Sequence, residues 1–319
     1  MSRIAIAIPL LTTALLAQDP AADLWMQDFA AAKAKAKAEK KDLLVDFTGS
    51  DWCGWCIRLD EEVFSKEAFR TAAPKSFVLV KLDYPQNQDL VTPEIKKQND
   101  ALQVEYSIQG FPTILLMDDA GRVYAQAGYQ EGGPEPYVTM LDEYRQRGAD
   151  FRAALTAVGD KQGVERAEAL DACLATLPDE VASTYHFAIM QEICRLDADG
   201  EAGLKAKYEA KVEEIELGRQ ANLAAKELNE LIAADMRAGE GEKALEKLDK
   251  VLEAPKNTMH QQMAMFFKGM VTMDTSGDAK AAVAVLEAAQ KLAPDSPVGQ
   301  QIAAILPRIK QQIRDDGGK

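Results

Sequence analysis

The feature that most constrains the fold is a short apolar run that leads directly into two closely spaced cysteines. The run DLLVDFTG (42–49) is almost continuously apolar, contains strand-forming residues and ends at glycine, which predicts a buried β-strand. Cys53-Gly54-Trp55-Cys56 follows, and the residues after it, CIRLDEEVFSKEAFRTAA, have helical periodicity. The sequence therefore predicts a strand that enters a helix through a short loop carrying a Cys-x-x-Cys pair.

The segments around this motif predict an α/β domain over residues 24–149. Helices are predicted over 24–41, 93–107 and 134–147, a second buried strand over 77–83, and a strand hairpin over 110–128 around Asp119-Ala120-Gly121. The order helix, strand, helix, strand, helix, hairpin, helix predicts a central mixed sheet with helices on both faces.

Strand patterns disappear from about residue 150, and residues 150–314 are predicted to be all-helical. Three segments share a glycine start, an amphipathic helix and a proline stop, namely 163–178, 241–255 and 277–294. The spacing between the second and third segments is close to that of helix-turn-helix solenoids, and the segments resemble tetratricopeptide repeats. The resemblance implies an array of helical hairpins, which commonly binds a protein partner, although a rigid spacer is the alternative. Residues 315–319 are predicted to be a flexible tail.

The first residues, MSRIAIAIPLLTTALLA (1–17), have the composition of a secretory signal peptide. One cation precedes an uncharged, mostly apolar run that is too short for a membrane span, which needs about 20 residues. The alternative is an uncleaved N-terminal helix. We expect an exported protein, periplasmic or extracellular, with no membrane span in the mature chain.

The charge and the cysteine count narrow the classes of partner and of chemistry. The formal net charge of −14 is spread evenly along the chain, which argues against nucleic acid or an anionic membrane as the main partner. The chain has four cysteines. Outside the cytosol a cysteine pair is either a stable disulfide or a managed redox couple.

A zinc site and an inert disulfide are the alternatives to a working dithiol. A structural zinc site needs a second short Cys/His pair, whereas Cys173 and Cys194 are distant, and His186 and His260 are isolated. We therefore expect no metal and no cofactor. An inert bridge across two residues would constrain little of the unfolded chain. Cys173 and Cys194 are predicted to lie too far apart along two antiparallel helices (166–177 and 181–196) to pair, which leaves two separate, mostly buried thiols.

The position of the pair favours a working dithiol. Cys53 falls where the strand enters the helix, and the first helical N–H groups and the helix dipole stabilise a thiolate there. Cys56 lies one turn further along the helix, within reach of a mixed disulfide formed at Cys53. This spacing allows one cysteine to attack and the other to resolve.

Residues 24–149 resemble a thioredoxin-fold domain, of the exported kind that carries Trp-Cys-Gly-Trp-Cys. The resemblance implies that Cys53 is the nucleophile, Cys56 the resolving thiol and Asp46 the buried carboxylate that manages the proton of the resolving thiol. Compared with the usual spacing in the family, the stretch between Asp46 and the motif contains one extra loop residue, within TGSD. Lys81 in VLVKLD matches the family's lysine near that carboxylate. Taken alone, Asp46 could be a loop carboxylate and Lys81 a surface lysine.

A second stretch of the resemblance, GFPT, places Pro112 as the cis-proline that faces the disulfide, with Phe111 lining the substrate groove. Taken alone, Pro112 could be a trans turn proline. Trp52, Gly54 and Trp55 would complete the substrate-binding surface, although the two tryptophans could simply cover the core. Trp55 stands where thioredoxin has proline, which leaves the direction of electron flow open.

Two functional hypotheses follow. In the first, the protein is a thiol–disulfide oxidoreductase that acts on protein disulfides outside the cytosol, with an unidentified redox partner and with helical repeats that hold partners. In the second, it is a non-catalytic interaction protein whose thioredoxin fold and helical repeats bind partners while the cysteine pair stays oxidised.

Overall fold

The structure is a computed structural model that describes residues 24–316, so the predicted signal peptide (1–17) lies outside the described residues. This part of the chain forms two compact units. The first contains residues 24–161 and 169–186, and the second contains residues 162–168 and 187–316. The predicted boundary at residue 150 falls inside one long helix, Pro134–Val158.

A five-stranded mixed sheet forms the centre of the first unit. Its strands are β1 (Trp25–Met26), β2 (Asp42–Thr48), β3 (Phe77–Asp83), β4 (Thr113–Met117) and β5 (Val123–Ala127). They lie in the order β1-β3-β2-β4-β5, with β3 parallel to β1 and β2, and with β4 antiparallel to β2 and β5. The predicted α/β thioredoxin-type sheet is therefore confirmed.

Helices connect the strands and follow the sheet. In chain order they are α1 (Phe29–Glu39), α2 (Gly54–Leu59), α3 (Glu67–Ala72), α4 (Pro93–Glu105), α5 (Pro134–Val158), α6 (Gly163–Leu174), α7 (Asp179–Tyr185), α8 (Phe187–Leu196), α9 (Leu204–Arg237), α10 (Gly241–Glu253), α11 (Thr258–Ser276), α12 (Ala279–Leu292) and α13 (Pro297–Asp316). A π-helical turn, Asp60–Phe64, continues α2. The last helix enters the predicted tail by two residues.

Helices cover both faces of the sheet because successive residues of a strand point to opposite sides. Phe47 points toward α1 and α4, where its ring lies 6.3 Å from Tyr106, which in turn lies 6.1 Å from Phe29. Its neighbour Asp46 points to the other face, where its charge acts on Tyr137 of α5. The central strand thus contributes to two separate layers.

The first predicted helix, 24–41, is partly wrong. Trp25–Met26 forms a short edge strand beside β3, and the helix begins only after Asp28, whose side chain accepts a 2.9 Å hydrogen bond from the Ala31 N–H. The Trp25 ring packs 5.0 Å from that of Phe64. Backbone pairing and aromatic packing therefore override the helical spacing of the apolar residues in this segment.

A buried polar group ties α5 to the start of β2. Asp42 accepts hydrogen bonds from Tyr124 (2.9 Å) and from Arg152 (2.7 Å). Burial raises the pKa of Asp42, and Arg152 opposes that rise. The fully buried Tyr124 ring packs against Gly148, where an added Cβ would lie 2.8 Å from the ring carbons. Close approach of α5 to the sheet therefore requires glycine at this position.

The part of the chain after β5 is helical, with nine helices, α5 to α13, in the described residues. Within the second unit, α10 packs on α11, α11 on α12 and α12 on α13, while α9 packs on α8, α10 and α11. Their shared core contains Leu228, Ile232, Leu248, Leu286 and Ile302. The predicted all-helical region is confirmed, and its relation to tetratricopeptide repeats stays a prediction.

The remaining two cysteines are both free thiols, as predicted. Cys173 is buried, and desolvation raises its pKa to about 11; Cys194 is half-buried, and burial also raises its pKa. The helix predicted over 181–196 is interrupted at His186, whose ring nitrogen Nε2 lies 2.6 Å from the carbonyl oxygen of Val123 in β5. The contact between His186 and the Val123 carbonyl group therefore accompanies the break between α7 and α8.

Residues 24–316 contain no helix with the length and apolar character that a membrane crossing requires.

We predict that Gly148→Ala destabilises the protein, although alanine is the better helix former by about 1 kcal/mol. The new methyl group would overlap the Tyr124 ring, and overpacking of this kind typically costs about 1–3 kcal/mol. Thermal unfolding of the full chain, followed by calorimetry, should show a melting temperature lower by at least about 2 °C.

Gly218→Ala is the matched control, because Gly218 also lies inside a helix and has open space around its Cα. This variant should melt at the wild-type temperature or above it. Equal or higher stability of Gly148→Ala would show that α5 does not need its close approach to Tyr124.

Candidate active site

The two cysteines of the motif form a disulfide at the start of α2. Cys53 is the N-cap residue of the helix, with extended backbone angles (φ −82°, ψ 102°), and its Sγ accepts a 3.2 Å hydrogen bond from the Cys56 N–H. The Cα atoms are 5.2 Å apart. Both residues are largely buried, with 7% of Cys53 and 4% of Cys56 exposed. The predicted position of the pair at a helix start is confirmed.

The loop before the disulfide is held by the last residue of β3 and by the segment that follows this strand. Ser50 donates its N–H (2.9 Å) and its hydroxyl (2.5 Å) to the carboxylate of Asp83. The carboxylate of Asp51 accepts the backbone N–H groups of Gln86 (2.9 Å) and Asn87 (2.8 Å), and these bonds lower its pKa. The loop that contains the extra residue is therefore fixed by the hydrogen bonds of Ser50 and Asp51.

Trp52 is anchored beside the disulfide. Its indole N–H donates to the carbonyl oxygen of Tyr84 at 2.8 Å, and its ring meets that of Phe111 edge-on at 5.8 Å. The ring also covers Gly49, where a Cβ would lie 2.5 Å from Trp52 Cε2. Trp52 is nevertheless 44% exposed. The structure thus brings together two residues that the sequence places about 60 positions apart.

The peptide bond between Phe111 and Pro112 is cis, as predicted. The turn is closed by Thr113, whose hydroxyl donates to the carbonyl oxygen of Gly110 at 2.8 Å. Thr113 begins β4 and pairs with Phe47 near the end of β2, so this turn lies at the same end of the sheet as the disulfide loop.

Asp46 lies in the middle of the sheet with an unusually high pKa. It is 4% exposed, and no hydrogen bond reaches its Oδ1 within the described part of the chain. Desolvation raises its pKa from 3.8 to about 7, against the attraction of Lys81. Lys81 is its direct neighbour across the parallel β2–β3 pair. The two residues are therefore adjacent, as the sequence predicts.

Asp46 faces the helix that carries the disulfide. The charge of Asp60 contributes to its raised pKa, and Asp60 donates its backbone N–H to the carbonyl oxygens of Cys56 and Ile57. On the same face the pKa of Tyr137 is raised by burial and by the charge of Asp46. A group with a pKa of about 7 can accept or give a proton at neutral pH.

Four residues form a connected group at the second tryptophan, which we call the Trp55 ledge: Trp55, Arg58, Glu62 and Tyr129. Trp55 and Tyr129 have ring centroids 5.1 Å apart, and the Arg58 guanidinium carbon lies 5.6 Å and 5.0 Å from these rings. Glu62 accepts hydrogen bonds from Arg58 Nε (2.7 Å) and from the Tyr129 hydroxyl (2.6 Å). Trp55 is 56% exposed, as predicted.

Apart from Phe111, sequence reasoning did not identify the partners of the two tryptophans. Arg58 and Glu62 have the i,i+4 spacing of a helical ion pair, a signal that could have revealed them. Tyr129 and Tyr84 carry no such signal, because they reach the site from β-strand ends distant in the chain. Gly54 opens α2 with no atom near its Cα on the Cβ side. Among residues 24–316, no cluster of three or more histidine, cysteine or carboxylate side chains is arranged to hold a metal ion.

Comparison with known proteins identifies relatives of the sheet-containing part of the chain. Residues 24–119 match a family model described as thioredoxin-like. Over 122 residues the chain is 33% identical to the disulfide bond reductase DsbH of Chlamydia pneumoniae. This alignment covers 38% of the chain and 72% of DsbH. Over 105 residues it is 31% identical to the thioredoxin-related protein DsbJ of the same organism. This second alignment covers 33% of the chain and 30% of DsbJ.

The solved structure of a DsbH oxidoreductase is 30% identical, covers 38% of this chain and 82% of that one, and has a TM-score of 0.36. The chain thus spans most of DsbH and less than a third of DsbJ. The identity with DsbH extends over enough of that protein to establish the relationship. The chain belongs to the thioredoxin-like family.

Proposed function

We propose that this protein is a thiol–disulfide oxidoreductase that acts on protein disulfides. The observation that carries the proposal is the disulfide between Cys53 and Cys56, in which Cys53 caps a helix and accepts the N–H of Cys56. A buried carboxylate with a pKa of about 7 lies on the strand beneath. The relative named disulfide bond reductase supports the same chemistry and favours reduction as the direction.

In the reduced protein, Cys53 would act as the nucleophile. Its thiolate attacks one sulfur of a substrate disulfide, which forms a mixed disulfide and releases the other substrate sulfur as a thiolate. The backbone N–H at the helix start stabilises the Cys53 thiolate before the attack.

Cys56 would then resolve the mixed disulfide. Its thiolate attacks the Cys53 sulfur, which restores the Cys53–Cys56 disulfide and releases the second substrate thiolate. Two electrons pass from the protein to the substrate, and the released thiolates take up two protons. A small dithiol or a redox partner protein must then reduce the pair again.

Asp46 would accept the proton of the Cys56 thiol during resolution, and Lys81 would adjust the pKa of Asp46. An isolated buried carboxylate near neutral pKa exchanges protons at physiological pH. Lys81 favours the charged form, because its attraction lowers the pKa that burial raises. Asp46 and Lys81 thus set the pH at which resolution becomes fast.

The substrate-binding part of the proposal includes five residues that surround the pair: Trp52, Gly54, Trp55, Phe111 and Pro112. The exposed rings of Trp52 and Trp55 and the cis bond before Pro112 support it. We further propose that the protein acts outside the cytosol, because residues 1–17 have a signal-like composition. The helical unit would bind a protein partner.

We predict that Cys56→Ser accumulates mixed disulfides at Cys53. Without the resolving thiol, the first step stops at the covalent intermediate, because a serine hydroxyl does not attack a disulfide. The full-length variant, reduced and then incubated with a disulfide-bonded protein such as insulin, should show the covalent adduct by mass spectrometry.

Cys53→Ser is the matched control and should form at most a trace of adduct. Absence of adduct with Cys56→Ser, together with a wild-type pair that does not exchange with dithiothreitol, would support the non-catalytic alternative instead.

We predict that Asp46→Asn removes a pH dependence from the resolution step. In the wild type, decay of the mixed disulfide should accelerate as the pH rises through about 7, because the carboxylate form of Asp46 accepts the proton. At pH 8, Asp46→Asn should resolve the intermediate at least about tenfold more slowly. Rapid-quench measurement of the intermediate from pH 5 to 9 tests this.

Lys81→Met should keep the pH dependence but shift it to higher pH, because the attraction that lowers the Asp46 pKa is lost. A profile that is the same in all three proteins would contradict the role of Asp46.

Stability gives an independent check on the same carboxyl group. Its folded-state pKa is higher than the unfolded value of 3.8, so the folded protein holds this proton more tightly across the window from about pH 4 to 7. The contribution of Asp46 to stability should therefore fall as the pH rises through that window, by at most roughly 4 kcal/mol, and the stability of Asp46→Asn relative to the wild type should rise by this amount. Denaturant unfolding of the oxidised proteins at pH 5 and pH 8 measures the difference.

A further inference from the structure

We propose that the Trp55 ledge is a specificity-determining surface that favours protein disulfides over small ones, with Glu62 and Tyr129 as the residues that position Trp55. The inference rests on the proposed oxidoreductase function and adds to it a group of residues that the cysteine chemistry does not require. The occupant of the ledge is the stretch of the substrate protein next to its reactive cysteine.

The exposure of the residues around the disulfide directs the approach of a substrate. Only 7% of Cys53 is exposed, whereas Trp52 and Trp55 are 44% and 56% exposed. Trp55 lies between the two cysteines in the chain and its ring is exposed, so we expect a polypeptide whose sulfur reaches Cys53 to contact the Trp55 ring. A compact disulfide without a flanking chain makes much less of this contact.

The two tryptophans are held in different ways. The Trp52 ring is fixed by a hydrogen bond to the carbonyl oxygen of Tyr84 and by its contact with Gly49. Trp55 is 56% exposed, so its indole N–H can donate to a backbone carbonyl of a docked segment. The position of Trp55 depends on its ring contacts with Tyr129 and Arg58.

Glu62 holds these two contacts together. It accepts one hydrogen bond from Arg58 and one from the Tyr129 hydroxyl, both shorter than 2.8 Å. The bond to Arg58 and the bond to Tyr129 lower the pKa of Glu62, so the carboxylate is charged at neutral pH. One side chain from the helix of the disulfide is thereby linked to a residue that follows β5. This hydrogen bond joins two residues that are 67 positions apart in the sequence, and it fixes the ledge relative to the disulfide.

The chemistry of the ledge fits an extended polypeptide. Two aromatic rings and a guanidinium whose charge is balanced by Glu62 offer stacking area and hydrogen-bond donors without a strong net charge. Preorganised aromatic residues contribute most to recognition when their positions are fixed before binding. Loss of the Tyr129 ring would free Trp55 and weaken binding of the flanking chain.

The test compares two disulfides of different size on the same enzyme. With the full-length protein reduced beforehand and freed of dithiothreitol, which would itself reduce the small disulfide, we would measure the second-order rate constant for oxidation of the Cys53–Cys56 pair by insulin, a protein disulfide, and by 5,5′-dithiobis(2-nitrobenzoate), a small one. For Tyr129→Ala we expect the ratio of the insulin rate constant to the small-disulfide rate constant to fall about fivefold, mainly through slower oxidation by insulin. Tyr129→Phe, which keeps the ring and loses only the bond to Glu62, should lower the ratio about twofold.

Tyr144→Ala is the matched control. Tyr144 also makes a ring contact with an arginine, since the guanidinium carbon of Arg147 lies 4.9 Å from its centroid, but it takes no part in the ring contacts and hydrogen bonds that link the four residues of the ledge. This variant should leave the ratio unchanged.

Two results would overturn the inference. One is an unchanged ratio in Tyr129→Ala, and the other is an equal loss toward both disulfides, which would indicate an effect on the cysteine pair itself. A wild-type protein that reduces neither disulfide would overturn the proposed function and this inference with it. Because Tyr129→Phe retains the packing of the ring, its ratio decides the matter even if Tyr129→Ala folds poorly.

Discussion

Burial of strand β2 along its whole length is the constraint on which the rest of the first unit depends. All seven residues of Asp42–Thr48 are buried, and the strand is hydrogen-bonded to β3 on one side and β4 on the other. A central strand cannot place a polar side chain in solvent, so each one must find a partner in a helix layer or stay unpaired.

The two carboxylates of β2 meet this constraint in opposite ways. Asp42 and Asp46 lie on the same face of the sheet. Asp42 accepts hydrogen bonds from the Arg152 guanidinium and from the Tyr124 hydroxyl, and the bond from Arg152 fixes the start of the strand to α5. Asp46 receives only the attraction of Lys81 across the strand pair, and its pKa rises to about 7.

Within residues 24–316, the lack of a hydrogen-bond partner for Oδ1 of Asp46 costs folding free energy. A pKa raised from 3.8 to about 7 corresponds to roughly 4 kcal/mol of lost stability when the group is charged, a large part of the 5–15 kcal/mol that holds a typical domain together. A purely structural position would favour an apolar residue here. The isolated carboxylate therefore fits a chemical role beside the cysteine pair, whereas Asp42 fits a structural one.

The sequence was most informative where the signal is local. Apolar runs predicted β2 and β3, and the strand-to-helix change placed Cys53 at a helix start. The cis bond at Pro112 was implied by the resemblance of GFPT to the family motif, since the residues alone also allowed a trans turn proline. Local signals failed where distant partners decide the structure. Trp25–Met26 forms a strand only because the edge of β3 is available, and the break at His186 depends on a carbonyl group in β5.

The partners of the two tryptophans belong to the same class of long-range contact. Tyr84 follows β3 and Tyr129 follows β5, so their positions beside the disulfide depend on the order of the strands and on no nearby motif. Strand order itself brings the ends of β2, β3 and β5 to the region of the cysteine pair. The same central strand that isolates Asp46 therefore also determines which aromatic residues lie near the cysteine pair, and one arrangement of the sheet builds both the proposed acid–base part and the proposed recognition part of the site.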